Sequence, residues 1–285
     1  MYRLGLYEKA MPSGMTFYEM LSHTGKAGFD FMEISIDETD ARLARLDWTE
    51  AEFNDFRAAV RETGVPVSSM CLSGHRKYPF GSHDPQKREK SMEIMQKAVL
   101  FAEKTGIRLI QLAGYDVYYE EGDADTVRWF GENLASAVEF AAMHSVTLGF
   151  ETMETSFMDN VSKSMKYVED INNPYLGVYP DLGNLTNSCR LYGTEVNEEI
   201  ECGRGHLFAM HIKETEEGKY RDMEFGTGKV DFVSGISKAY KVGVRQYVAE
   251  CWHNGCEEWD ERLAGINKFV RTAFDQAGIS RNCFF

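Results

Sequence analysis

The chain has 285 residues, 43% of them apolar, and a formal net charge of −14. That apolar share supports a sizeable core and argues against disorder. The acidity argues against a broad nucleic-acid footprint or an anionic membrane surface, while a small phosphorylated ligand needs only a local cationic pocket.

In chain order, a first strand fits Leu4 to Tyr7, with Glu8 and Lys9 at its tip. A helix from Thr16 to Ala27 stops at Gly28, and a second strand runs Phe29 to Ile36 with Glu33 near its end. Thr49 and Glu52 are spaced as a capping box for a helix that ends at Gly64. Strand three, Val67 to Cys71, runs into the cationic loop Ser73-Gly74-His75-Arg76-Lys77. Asp84-Pro85 opens a helix closed by Gly106, through N-cap and N1 preferences. Strand four is Leu109 to Ala113, with Gln111 inside it, and the next helix spans Asp125 to His144.

Strand five, Thr147 to Phe150, ends in Glu151, and a helix follows over Val161 to Ile171. Strand six, Leu176 to Pro180, ends in Asp181, and a helix is expected between Glu195 and Cys202. Strand seven, Leu207 to Met210, ends in His211, with Lys213 just beyond. Gly226-Thr227-Gly228-Lys229 precedes a helix from Asp231 to Val242, strand eight (Gln246 to Ala249) ends in Glu250, and the last helix covers Glu257 to Ala277. Strict β-then-α alternation over eight units predicts a single-domain closed (β/α)8 TIM barrel across residues 1–285. No G-x-G-x-x-G follows the first strand, which counts against a dinucleotide fold.

Six cysteines, at 71, 189, 202, 251, 256 and 283, include no C-x-x-C pair and read as reduced space-filling thiols of a reducing compartment. With no signal-peptide pattern and no long apolar run, a cytoplasmic protein is expected.

Glu151, Asp181, His211 and Glu250 each directly follow an apolar run. Strand ends of a barrel share one face, so these groups converge there. Three carboxylates and one imidazole suit a divalent ion, Zn²⁺ or Mn²⁺ ahead of Mg²⁺ or Co²⁺. A metal chelating a hydroxyl and a neighbouring carbonyl acidifies the C–H between them and stabilises the enediolate that results. Two carboxylates on opposite faces, Glu151 and Glu250, then remove and return a proton and so invert the carbon.

At these residues the sequence resembles the bacterial L-ribulose-5-phosphate 3-epimerases, also described as L-xylulose-5-phosphate 3-epimerases, of the xylose-isomerase-like TIM-barrel superfamily. The resemblance spans nearly the whole chain. Its motifs include Gly5-Leu6-Tyr7-Glu8-Lys9-Ala10, Ile110-Gln111-Leu112-Ala113-Gly114-Tyr115-Asp116, Tyr179-Pro180-Asp181-Leu182-Gly183-Asn184-Leu185, His211-Ile212-Lys213 and Phe225-Gly226-Thr227-Gly228. It implies one metal at Glu151, Asp181, His211 and Glu250, acid–base work by the two glutamates, L-ketopentose 5-phosphate substrates in breakdown of L-ascorbate or a related sugar, and a homodimer. The superfamily's epimerases of unphosphorylated ketoses carry a His near position 184 and an Arg a few residues after the position of His211. Here Asn184 and, nearby, Glu216 or Glu217 stand instead.

Phosphate needs donors, and His75, Arg76, Lys213 and the amides of Gly226 and Gly228 are candidates. Glu8, Glu33, Gln111 and Asn184 are candidates for sugar hydroxyls. The rival readings are a 3-epimerase of unphosphorylated ketoses and an aldose–ketose isomerase of the same fold. A repair endonuclease of related architecture would need a larger histidine set and a basic face, against seven His and a charge of −14.

Overall fold

The computed structural model describes residues 1–281, so Cys283 lies outside the described residues. Eight strands form one parallel sheet: β1 (Arg3–Tyr7), β2 (Phe31–Ile36), β3 (Val67–Leu72), β4 (Leu109–Ala113), β5 (Thr147–Glu151), β6 (Leu176–Val178), β7 (Met210–Ile212) and β8 (Gln246–Ala249). Consecutive strands pair from β1 to β6 and from β7 to β8, and β1 pairs with β8. The ring closes between β6 and β7, where Val178 bridges Leu207 and Asp181 bridges His211. Two of the four predicted ligands therefore sit side by side on the seam of the barrel.

The helices are α1 (Phe17–Lys26), α2 (Asp40–Leu43), α3 (Glu50–Thr63), α4 (Pro85–Thr105), α5 (Ala124–Met143), α6 (Val161–Ile171), α7 (Leu182–Tyr192), α8 (Val196–Cys202), α9 (Phe232–Lys241) and α10 (Trp259–Gln276). The expected start signals operate: Thr49 with Glu52 forms a complete capping box, and Asp84 accepts the Gln86 amide with Pro85 in the first turn. Thr16 with Glu19 forms a second capping box that the sequence reading did not name. None of the helices among the described residues is long and apolar enough to cross a membrane.

Strands buried on both faces divide the core in two. A large cluster fills the space between sheet and helices, and a smaller one, with Tyr7, Phe31, Cys71, Leu109, Tyr179, Ala209 and Val248, fills the barrel interior. Gly5 makes the interior packing possible. A Cβ there would lie 2.3 Å from the Phe31 ring, so any side chain would displace the plug at the barrel floor.

Three of the differences from expectation bear on how the site is built. β2 begins at Phe31, because the Asp30 carboxylate, not a ladder carbonyl, accepts the Leu4 amide. The regular part of β7 is Met210–Ile212, with Leu207 joined to β6 only by a bridge. The third is α7, which has no counterpart in the sequence reading. Its sequence, LGNLTNSCRLY, is rich in residues that favour caps and turns over helix interiors. It forms because Asp181 caps it, accepting the Asn184 amide at 2.6 Å, and because Leu182 and Leu185 are buried in the core.

Candidate metal centre

Each ligand candidate is placed by a separate strand end. Glu151 is the last residue of β5, Asp181 the N-cap of α7, His211 the middle of β7, and Glu250 directly follows β8. One ligand atom from each lies within 4.8 Å of all the others, and all four residues are buried. The His211 Nδ1 atom is 3.5 Å from Glu250 Oε2, 3.7 Å from Glu151 Oε1 and 4.0 Å from Asp181 Oδ2. The Lys213 ammonium stands 3.1 Å from Glu250 Oε2 and 3.4 Å from Asp181 Oδ2.

The donor set fits a divalent cation. Asp181 Oδ2 and Glu250 Oε2 are fully buried yet make no hydrogen bond. Buried carboxylate oxygens are costly without charge compensation, and here the two share a single ammonium, that of Lys213. Three carboxylates against one ammonium leave negative charge to be balanced, and hard oxygens with one imidazole nitrogen suit Mn²⁺, Zn²⁺, Co²⁺ or Mg²⁺. The electrostatics agree. Burial, reinforced by the Glu250 charge, raises the Glu151 carboxyl. Burial lifts Asp181 to about 7 even with Lys213 beside it. Burial works to raise Glu250 too, but Lys213 and His211 outweigh it and hold that carboxyl well below its usual range.

Above the cluster opens a pocket lined by Glu151, Glu250, Gln111, Asn184, Lys213 and Arg76 among the predicted residues. Asn184 donates its Nδ2 to the Thr152 carbonyl at 2.8 Å and keeps a buried Oδ1 without partner, as does Gln111 its Oε1. The Arg76 guanidinium lies over the Tyr118 ring, 4.8 Å from its centroid.

Five predicted contacts do not reach the pocket. The Glu8 carboxylate accepts from Arg42, Arg45 and the Ser35 amide, which leaves it nothing for a hydroxyl. Glu33 lies below the cluster with its oxygens on His211, Ser69 and Tyr179. His75 is buried, donating Nε2–H to the Ser91 carbonyl at 3.1 Å, and burial lowers its pKa to about 4, so it stays neutral. The glycine loop folds inward on Glu214. Gly226 N–H donates to one carboxylate oxygen at 2.8 Å, and a Cβ on Gly228 would lie 2.4 Å from the other. The Gly226 amide is therefore already taken, and neither glycine lines the pocket. Lys77 is exposed and outside the pocket lining.

Sequence reading also missed Tyr220 and Arg221, which line the pocket from the loop between β7 and α9. Arg221 stacks over Trp252, 5.4 Å from its ring. The cation–aromatic run Lys219-Tyr220-Arg221, standing before the glycine loop, was the available signal.

Four buried acid and imidazole groups meeting at the C-terminal mouth of a closed eight-stranded barrel place the molecule among α/β barrels with a candidate divalent-metal centre. The chain belongs to the xylose isomerase-like TIM barrel family, whose family model matches residues 22–270. It is 42% identical over 277 residues to the L-ribulose-5-phosphate 3-epimerase UlaE of Escherichia coli (strain SMS-3-5 / SECEC), covering 97% of this chain and 96% of that protein. Identity and coverage are the same with the L-ribulose-5-phosphate 3-epimerase UlaE of Salmonella paratyphi C (strain RKS4594). Among solved structures, it superposes on D-psicose 3-epimerase from Clostridium cellulolyticum H10, solved with D-tagatose, with TM-score 0.79 at 15% identity, covering 95% of this chain and 99% of that one. An L-ribulose 3-epimerase structure matches with TM-score 0.74 at 17% identity, covering 98% and 95%.

Proposed function

We propose that this protein is a metal-dependent 3-epimerase that interconverts L-xylulose 5-phosphate and L-ribulose 5-phosphate, acting as a cytoplasmic homodimer on a small sugar phosphate. The observation that carries the reading is the placement of Glu151 and Glu250 in one pocket wall system, on strands three apart around the ring, with a shared set of ligand atoms between them. A divalent ion held by Glu151, Asp181, His211 and Glu250 would supply Lewis acidity to a hydroxyl–carbonyl pair and spread the negative charge that develops as a proton leaves the carbon between them.

The chain's own groups do the rest. One glutamate takes the C3 proton from one face of the substrate and the other delivers a proton to the opposite face, which is what inversion requires. Gln111 and Asn184 each offer a buried amide oxygen without partner, suited to orienting sugar hydroxyls. Lys213 supports the carboxylates as a fixed positive charge. Arg76 and Arg221 bring cations to the pocket of a chain whose net charge is −14, a local asymmetry that favours a phosphate at the rim.

The test is incubation of Mn²⁺- or Zn²⁺-loaded protein with either ketopentose 5-phosphate in deuterated water. The expected result is the C3 epimer with deuterium at C3. Exchange at C1 or C2 in place of C3 would identify an aldose–ketose isomerase, and turnover confined to free ketoses would identify an epimerase of unphosphorylated sugars. Arg221→Ala should raise KM for the phosphorylated substrate with kcat little changed, as expected for a group that binds ground and transition states alike.

A further inference from the structure

Glu33 belongs to neither of the roles that pocket position assigns, because it is fully buried and stands beneath the pocket. It sits inside β2, in register with Tyr7 of β1 and Ser69 of β3, and points into the barrel. One oxygen, Oε1, accepts Nε2–H of His211 at 2.6 Å, from a strand three places away around the ring. The other, Oε2, accepts Ser69 Oγ–H at 2.6 Å and Tyr179 O–H at 2.8 Å. The Tyr179 ring also packs edge-on against the imidazole, with centroids 4.9 Å apart. The opposite ring nitrogen, Nδ1, is the one that faces Glu151, Asp181 and Glu250, and the Gln111 amide nitrogen lies 3.1 Å from Nδ1 and 3.2 Å from Nε2.

From this geometry we infer that Glu33 is a positioning residue for the metal centre, holding His211 in the Nε2–H tautomer so that the Nδ1 lone pair is presented to the ion. The inference rests on the metal-centre reading given above. The reason is general. An imidazole has one donor and one acceptor nitrogen when neutral, and a carboxylate on the far nitrogen decides which is which, fixes the ring plane and raises the basicity of the ligating atom. Ser69 and Tyr179 hold Glu33 in turn, so the chain of contacts runs from barrel interior to ligand without a free rotor.

The experiment measures Zn²⁺ and Mn²⁺ affinity by chelator competition, together with the side-chain nitrogen correlations of His211 by NMR, in the wild type, Glu33→Ala and Tyr179→Phe. The metal-loaded wild type should show His211 protonated at Nε2 and not at Nδ1. Glu33→Ala should lose ~10–100-fold in metal affinity and show a mixed or reversed tautomer. Tyr179→Phe, which keeps the ring and Glu33 but removes one donor, should lose less, in the same direction. A folded Glu33→Ala that binds metal as the wild type does overturns the inference. So does a metal-loaded wild type with the proton on Nδ1. If Glu33→Ala fails to fold, Tyr179→Phe decides alone, and unchanged affinity there overturns it. A wild type that binds neither ion sinks the metal-centre reading itself, which is a distinguishable outcome.

Discussion

Glu8 and Glu250 invite comparison because each directly follows a strand, and the strands, β1 and β8, are paired neighbours. Both side chains are buried, at 0% and 6% exposure, at the same mouth of the barrel. Glu8 is satisfied by the chain: Arg42, Arg45 at 2.7 Å and the Ser35 amide at 2.7 Å take up its oxygens. Burial alone would raise its carboxyl, but Arg45 and Arg42 prevail and lower it. Glu250 has Lys213 and His211 near it, yet its Oε2 accepts no hydrogen bond. Sequence context made the two residues look alike. The difference lies in what surrounds each: a carboxylate with a full set of internal donors is part of the scaffold, and one with an oxygen left over is available to something from outside.

The sharpest way to break this contrast is to neutralise each member. Glu250→Gln and Glu151→Gln should lower the epimerisation rate by ~10²–10⁴-fold, the usual worth of a general acid or base, while the protein stays folded. Deuterium wash-in at C3 is the measurement, and full turnover in either variant would end the two-glutamate mechanism. Metal provides the second test. Adding ion at a hundredfold excess over its Kd should stabilise the wild type by about 2.7 kcal/mol, read by urea unfolding, and Asp181→Asn should remove most of that gain. Glu8→Gln should leave the metal increment intact. Its own effect should fall on stability, about 2–3 kcal/mol, near the lower edge for breaking a buried ion pair because the two arginines reach solvent. The ion pair's contribution is present above the ordinary carboxyl value of 4.5 and is lost as pH falls through the lowered folded-state value.

The same contrast explains what was legible in the sequence. Apolar runs ending in Glu151, Asp181, His211 and Glu250 encode strand and tip together, and the closed ring then brings the tips to one place, so both barrel and cluster could be read from pattern. Partners distant in sequence could not. Nothing near Glu8 announces Arg42 and Arg45, and nothing near Gly226 announces that Glu214 will claim its amide. Glu33 was placed near the end of a strand reaching Ile36, and three residues from that end its side chain lies in the barrel interior. Asp181 was legible as a ligand and not as a cap, so α7 went unseen. One carboxylate does both jobs with different oxygens, Oδ1 for the Asn184 amide and Oδ2 facing the cluster.

His75 extends the comparison to a third solution for a buried ionisable group, which is to carry no charge. Packed against Phe80 and bonded to the Ser91 carbonyl, it has a pKa lowered by burial from 6.5 to about 4. Above pH 6.5 folded and unfolded chains both hold it neutral, and it has no effect on the pH dependence. Between 6.5 and about 4 the unfolded chain takes up a proton that the folded chain refuses, so stability rises with pH through that window and falls as the solution is acidified. At pH 5 the loss amounts to about 2 kcal/mol. His75→Gln removes the titration, so its stability difference between pH 7 and pH 5 should be smaller than that of the wild type by about this amount, measured by urea unfolding at both values. The same variant should keep the wild-type KM for the phosphorylated substrate. A raised KM with an unchanged pH profile would instead make His75 a phosphate ligand and place it with Glu250, as a group that serves something outside the chain.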